Sequence, residues 1–276
     1  LNRTFLGVII VCGLVTFGII GIYFYVYGET DDLSSGIPVL NYHGVEDNVN
    51  NPLALEIKDF EDQMAYLHTK GYTAITPDQL LDYLSAGKKL PDKPVLITFD
   101  DGYANNYTNA YPILKKYGFT AVFFLITDVI GHDPWYMNWD QVKEMRQQGF
   151  QFGSHTLSHA DLTKVPVAQV NLQLVKSREG IEWRLNTPVR YLAYPGGAYD
   201  SQIEKLVLQA GYKAAFSVKF GRVQKGGNLL ALERIPLFKS RWTFLDFYLR
   251  LNFTKAMGKI KAVKDRYICG RELSRR

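Results

Sequence analysis

Cysteine is nearly missing from this 276-residue sequence: only Cys12 and Cys269 occur. One lies in an apolar run and the other in a basic tail, which excludes a disulfide scaffold and a cysteine-based zinc site. Histidine is also scarce, with five residues and none after His159. No internal repeat or low-complexity segment is present. Acidic residues are thin in one region: from Lys239 to Arg276 there are 11 basic and 3 acidic residues. The net charge of +5 is therefore concentrated at the C-terminus and the rest of the chain is slightly acidic, which excludes a basic nucleic-acid surface on the body of the protein. What remains is ordinary globular composition, 47% hydrophobic and 21% charged, with a length that suits one large or two small domains.

Charge is absent altogether from Thr4 to Gly28 (TFLGVIIVCGLVTFGIIGIYFYVYG). A bilayer core needs about 20 apolar residues, so this run is long enough to span. Arg3 precedes it and Glu29, Asp31 and Asp32 follow, which places the N-terminus inside and the remainder outside the cell. Tyr23, Tyr25 and Tyr27 fall at the outer interface. A cleaved signal peptide is the alternative, although no A-x-A site ends the run. The expected organisation is a transmembrane anchor over residues 1–28, a linker over 29–36, a catalytic-type domain over 37–238 and a C-terminal helix with a basic tail over 239–276. The tail reads either as a solvated end or as a contact for anionic lipid or wall polymer.

Beyond the linker, strand-like and helix-like patterns alternate. Strands are expected at Ile37–Tyr42, Tyr72–Ile75, Pro94–Phe99, Phe119–Ile126, Phe150–Gly153, Val189–Tyr194, Tyr212–Val218 and Leu230–Ile235. Helices are expected from Ile57, from the Thr76-Pro77 start to Ser85, and over Ala104–Tyr117, Trp139–Gln148, Val167–Leu185 and Ser201–Ala210. Thr243 with Asp246 resembles a capping box that opens a last apolar helix. Such alternation implies an α/β fold with a mainly parallel sheet, closed or nearly closed into a barrel.

Four polar signatures fall at the C-terminal ends of these strands. Asp100 and Asp101 end TFDDG, with a helix cap as the structural alternative for Asp101. His155 and His159 lie in HTLSH, an i, i+4 pair that would meet on one face of a helical turn. Two histidines and a carboxylate suit a catalytic zinc with an open position for water. Tyr42-His43-Gly44 and Tyr194-Pro195-Gly196-Gly197 end two further strands, and each also reads as a simple turn. In a parallel barrel these ends share one rim.

TFDDG followed by SHTLSH resembles the polysaccharide deacetylases (NodB-homology, carbohydrate esterase family 4), over about Pro38 to Ile235. The resemblance implies a distorted (β/α)7-type barrel, here preceded by one transmembrane helix. It implies Asp101, His155 and His159 as ligands of a divalent metal, most often Zn2+, with Co2+, Ni2+ or Mn2+ as alternatives. It implies Asp100 as general base and the Tyr103 amide as oxyanion donor. Two departures stand out. The third motif of the family carries an arginine, where this chain has Ala193-Tyr194-Pro195-Gly196, and the usual late general-acid histidine is absent. The subgroup that deacetylates exported poly-β-1,6-N-acetylglucosamine is similar on both points. The likeness implies His43 as the acid, with His132 as the rival, and Tyr194, Pro195, Asn138 and Trp139 as substrate-binding residues. Rim aromatics (Tyr103, Trp135, Tyr136, Tyr199) are further candidates for stacking on sugar rings.

The expected protein is a single-pass cell-membrane hydrolase whose extracellular domain removes acetyl groups from an extracellular GlcNAc polysaccharide. A peptidoglycan or chitooligosaccharide substrate is the alternative. A non-catalytic glycan-binding protein is the alternative of another class, and nucleic acid is no partner.

Overall fold

The short apolar runs become parallel strands that close on themselves. The computed structural model describes residues 35–47, 51–255 and 257–259. Its strands are β1 (Val39–Tyr42), β2 (Thr73–Ala74), β3 (Pro94–Phe99), β4 (Val122–Leu125), β5 (Gln151–Ser154), β6 (Tyr191–Ala193), β7 (Ala214–Phe220) and β8 (Leu232–Pro236). Its α-helices are α1 (Ile57–Thr69), α2 (Pro77–Ala86), α3 (Tyr111–Lys116), α4 (Trp139–Gln147), α5 (Val167–Leu185), α6 (Ser201–Gln209) and α7 (Thr243–Asn252). Strands β3 to β8 pair in chain order, and β1 joins the two ends, pairing with β8 on one edge and β3 on the other. Seven parallel strands thus form a closed ring, the (β/α)7-type barrel expected above. The two-residue β2 lies outside the ring, on the first two residues of β3.

Alternation along each strand sorts side chains between two cores. Val39, Leu96, Val122, Phe124, Tyr191, Ala193, Ala214, Phe216 and Leu232 form one cluster, inside the barrel. Leu40, Tyr42, Val95, Ile97, Phe99, Phe123 and Leu192 point outward and join helix residues such as Phe60, Met64 and Leu174. Gly153 shows how tight the interior is: a Cβ there would lie 2.6 Å from the Phe124 ring. Above the apolar layer, the inward positions turn polar, with Asn41 of β1, Thr98 of β3 and Arg234 of β8 all buried.

Helix starts follow local chemistry. Thr76 and Gln79 form a reciprocal capping box at α2, and Asn138 and Gln141 form another at α4. One expectation needs refinement and one needs correction. The helix expected over Ala104–Tyr117 is present, helical without a break over 104–116, but a π-turn (Asn106–Ala110) forms its middle, before α3. Pro112 has no amide to continue the i→i−4 ladder, and the turn before it widens, with the Tyr111 amide on the Asn106 carbonyl. The capping box expected at Thr243 is displaced by three residues. Ser240 Oγ accepts from the Trp242 amide, the Thr243 hydroxyl bonds back to Ser240, and Asp246 instead pairs with Arg250 at 2.7 Å.

Gly36–Leu251 forms one compact unit, which takes in nearly all of α7. The expected anchor and most of the linker and tail lie outside the described residues. Among the described residues, no helix is long and apolar enough to cross a membrane.

Candidate active site

The strand ends do share one rim, and the TFDDG segment supplies its centre. β3 runs extended to Phe99 and then breaks. Asp101 takes φ +74° and Gly102 φ +85°, consecutive left-handed residues that fold the chain sharply. Glycine is required at the second of these, because a Cβ would sit 2.9 Å from Leu125 Cδ2. The break separates two neighbouring carboxylates into different surroundings.

Asp100 faces the barrel interior and is buried. Arg234 grips it through two parallel bonds, Nη1 to Oδ1 at 2.8 Å and Nη2 to Oδ2 at 2.7 Å, and Asn41 Nδ2 donates to Oδ2 at 2.9 Å. Arg234 is itself fully buried, with Nε on the Ser217 carbonyl at 2.8 Å and Nη1 on Thr98 Oγ1 at 3.2 Å. Burial would raise the Asp100 pKa, but the Arg234 charge and hydrogen bonds, with His155 and His43 nearby, outweigh it and hold the carboxyl far below the usual range. Oδ2 carries two bonds and Oδ1 one, so Oδ1 keeps a free lone pair.

Asp101 turns toward the histidines. Its Oδ1 lies 3.4 Å from His155 Nε2 and 3.5 Å from His159 Nε2. The three ligand atoms lie within 4.8 Å of one another. Asp101 Oδ1 is buried and has no hydrogen-bond partner. His155 is buried, and its Nδ1 lies 2.8 Å from the Ala193 carbonyl of β6, which fixes Nδ1 as the protonated nitrogen and leaves the Nε2 lone pair toward Asp101. An orphaned carboxylate oxygen facing two imidazole nitrogens just beyond hydrogen-bond distance fits a divalent cation between them. The residues present therefore suit the zinc-type site expected from the sequence. Burial would lower the His155 pKa, but Asp100 and Asp101 outweigh it and raise it, while burial and His155 lower that of His159. The expected helical turn at these histidines is absent. Residues 155–160 form an irregular loop in which Thr156 (φ +68°) and His159 (φ +60°) are left-handed, and this turn brings the rings to 4.9 Å.

His43 stands at the end of β1, half-buried. Burial lowers its pKa, and the neighbouring Asp100 and Asp101 charges oppose that. Outside the metal-type triad it is the histidine whose charge is coupled to both aspartates. His132 lies exposed in the loop before α4, and His68 bonds the Tyr117 carbonyl through Nδ1 at 3.3 Å on the helical side. The strand end carrying His43 is held by three asparagines that the sequence reading did not single out. Asn106, fully buried in the π-turn, donates to the His43 carbonyl at 2.7 Å. Asn105 Oδ1 accepts from the Val45 amide at 3.2 Å, and Asn109 donates to the Val45 carbonyl at 2.8 Å.

Tyr103 pairs antiparallel with Tyr136, its neighbours making the bonds: Ala104 N–H to the Trp135 carbonyl and Met137 N–H to the Gly102 carbonyl, both 2.9 Å. The Tyr103 amide stays outside this pairing. The Tyr103 and Tyr136 rings stack at 5.2 Å, and Trp135 beside them is 76% exposed. Other expected substrate residues have structural duties. The Tyr194 ring is fully buried, stacked on Tyr199 and bonded through its hydroxyl to the Leu230 carbonyl at 2.9 Å, so it offers no face to a sugar. Pro195 is buried. The Asn138 side chain caps α4, and Trp139 lies against Gly131 and under the Arg184 guanidinium at 5.3 Å.

The arginine missing near Tyr194 thus has a counterpart that reaches Asp100 from β8, a source the linear sequence does not advertise. Comparisons with known proteins agree with this constellation. The family described as "Polysaccharide deacetylase" matches residues 87–215. The protein YxkH of Bacillus subtilis strain 168, named as a polysaccharide deacetylase, is 35% identical over 72% of this chain and 70% of its own length. A poly-β-1,6-N-acetyl-D-glucosamine N-deacetylase of Staphylococcus aureus is 30% identical over 71% of this chain and 77% of its own. The solved structure of the Streptococcus pyogenes deacetylase PplD, in complex with acetate, superposes with a TM-score of 0.74 at 27% identity, covering 79% of this chain and 99% of that one. With the barrel, the rim chemistry and these relatives in agreement, the chain belongs to the polysaccharide deacetylase family of N-deacetylating hydrolases.

Proposed function

We propose that this protein is a membrane-anchored, divalent-metal-dependent N-deacetylase of an extracellular GlcNAc polymer, with poly-β-1,6-N-acetylglucosamine as its substrate. The observation that carries the reading is the rim itself. An arginine-clamped carboxylate, an orphaned Asp101 oxygen between two imidazoles, and a third histidine meet at one barrel end. The substrate choice leans on the Staphylococcus aureus relative and on His43 standing at the end of β1.

Asp101, His155 and His159 would hold the cation. When bound, it supplies Lewis-acid polarisation of the acetyl carbonyl and acidifies water. The chain's own residues do the rest. Asp100, ionised under all ordinary conditions, receives a proton from the attacking water at Oδ1. The Tyr103 amide, free of the local pairing, donates to the oxyanion. His43, protonated in the substrate complex, gives its proton to the departing nitrogen as the carbon–nitrogen bond breaks. Acetate and a glucosamine unit result. Trp135 offers an exposed ring for a flanking sugar.

The test is acetate release by the purified full chain, chelated and then resupplied with Zn2+ or Co2+. Poly-β-1,6-GlcNAc, chitooligomers and peptidoglycan are offered in parallel. Metal-restored release from the first polymer is expected. Release from peptidoglycan or chitooligomers alone would replace the substrate, and binding without release from any of them would point to a glycan-binding protein.

A further inference from the structure

Among the described residues, helix α7 buries one apolar face against the fold and leaves further apolar residues exposed. Thr243, Phe247 and Leu251 are buried. Tyr66 of α1 meets Phe244 and Phe247 edge-on at 5.8 and 5.7 Å. Away from that contact Trp242 is 65% exposed and Leu245 53%, and Phe244, although it packs on Tyr66, stays 40% exposed. Trp242 immediately precedes the helix, whose first turn carries Leu245. The two charges of the helix, Asp246 and Arg250, neutralise each other at 2.7 Å. Arg241 lies over the Trp242 ring at 5.6 Å, and the sequence from Lys239 onward is strongly basic. Exposed Trp, Phe and Leu beside Lys and Arg is the composition of a helix that lies in a membrane interface.

The fold also fixes where its first residue lies. Arg222 donates from Nη1 to the Gly36 carbonyl at 3.1 Å and from Nη2 to the Leu251 carbonyl at 2.7 Å. One guanidinium thus ties the beginning of the compact unit to the last turn of α7. Only residues 29–34 lie between the apolar run ending at Gly28 and Ser35. Fully extended, that linker reaches roughly 20 Å.

We propose that α7 is a membrane-docking element, with Trp242, Phe244 and Leu245 seated at the headgroup–acyl boundary of an anionic lipid leaflet and the following basic residues on its phosphates. The proposal rests on reading the N-terminal run as a membrane anchor joined to the compact unit by a short linker. Docking tethers the barrel at a second point and restricts its rotation about the linker.

Trp242 reports on the contact directly, because the chain has only three other tryptophans. The full chain is mixed with vesicles of phosphatidylglycerol and phosphatidylcholine, or of phosphatidylcholine alone, each with brominated acyl chains. Flotation and tryptophan quenching are then read together. Expected are flotation, several-fold greater quenching on the anionic vesicles, and loss of the quenched component in Trp242→Phe. Leu245→Ser, a surface change that leaves the core intact, should weaken quenching of Trp242 without abolishing flotation. Flotation with Trp242 unquenched would overturn docking while leaving the anchor reading intact. Absence of flotation would overturn both. Equal quenching on neutral vesicles would overturn the anionic specificity. A lipid-independent, concentration-dependent blue shift would assign the face to a second copy of the chain and overturn the proposal.

Discussion

Asp100 and Asp101 are sequence neighbours of the same chemistry, yet the left-handed turn at Asp101 gives them different surroundings. One meets a guanidinium and the other meets two imidazoles. Arg234 is therefore the residue whose loss says most about the base. Arg234→Met leaves a buried, unpaired carboxylate and should cost about 3–5 kcal/mol in denaturant unfolding at neutral pH. The pH dependence follows from the sign of the shift. The folded Asp100 pKa is depressed, so the pairing's contribution is fully present above the ordinary aspartate range, near about 4, and fades as the pH falls toward the depressed value. In the variant that dependence reverses, and the acidic limb of kcat/KM against pH should move upward. An unmoved limb would show that Asp100 does not set it. Asp100→Asn should keep the cation and lose turnover, and it should also lower the melting temperature because Arg234 is then buried alone. None of this is written near Tyr194, where sequence reasoning looks for an arginine. Arg234 reads as an ordinary polar position in LERIP, and only barrel closure shows that it points inward.

At the scale of elements, the π-turn at Asn106–Ala110 joins the segment that supplies the base to the strand end that supplies His43. Its widening follows from Pro112, and it presents Asn105, Asn106 and Asn109 to the residues 43–45. Asn106→Ala should lower kcat by roughly tenfold or more through a mobile His43, since leaving a buried carbonyl unsatisfied costs about 1–3 kcal/mol. Cation affinity should stay unchanged. Asn106→Asp, which cannot donate when ionised, should behave like the alanine variant. If both kept the wild-type kcat, the clamp would have no part in turnover. The strands themselves were legible, because four-to-six-residue apolar runs bounded by turn residues have few other solutions. The apolar run Pro94–Phe99 is β3 to the residue. The loop geometry was not legible: the histidine spacing suggested a helical turn, and the meeting is made instead by two left-handed residues whose conformation no periodicity announces. The burial of Tyr194 and the capping bond of Asn138 were not legible for a related reason, since a buried hydroxyl partner and a helix cap are tertiary and local duties that look like recognition chemistry in a linear motif.

For the whole molecule, the unpartnered Asp101 oxygen would make a cation bound there, as proposed, a folding ligand as well as a reactant's partner. Binding at a hundred times its dissociation constant adds about 2.7 kcal/mol to stability. Chelation should therefore lower the melting temperature by several degrees, reversibly, and His155→Ala should be insensitive to chelator. A chelator-dependent melt that persisted in His155→Ala would place the cation elsewhere.

The clamp on Asp100 also has an ordering in time. β3 is the third strand to leave the ribosome and β8 the last, 134 residues later. Synthesis runs from the N-terminus, so the carboxylate exists long before its guanidinium. Until β8 seats against β1, Asp100 has Asn41 but lacks its counter-charge and the two-bond grip of Arg234. On the proposed mechanism the base would therefore gain its counter-charge only with closure of the ring.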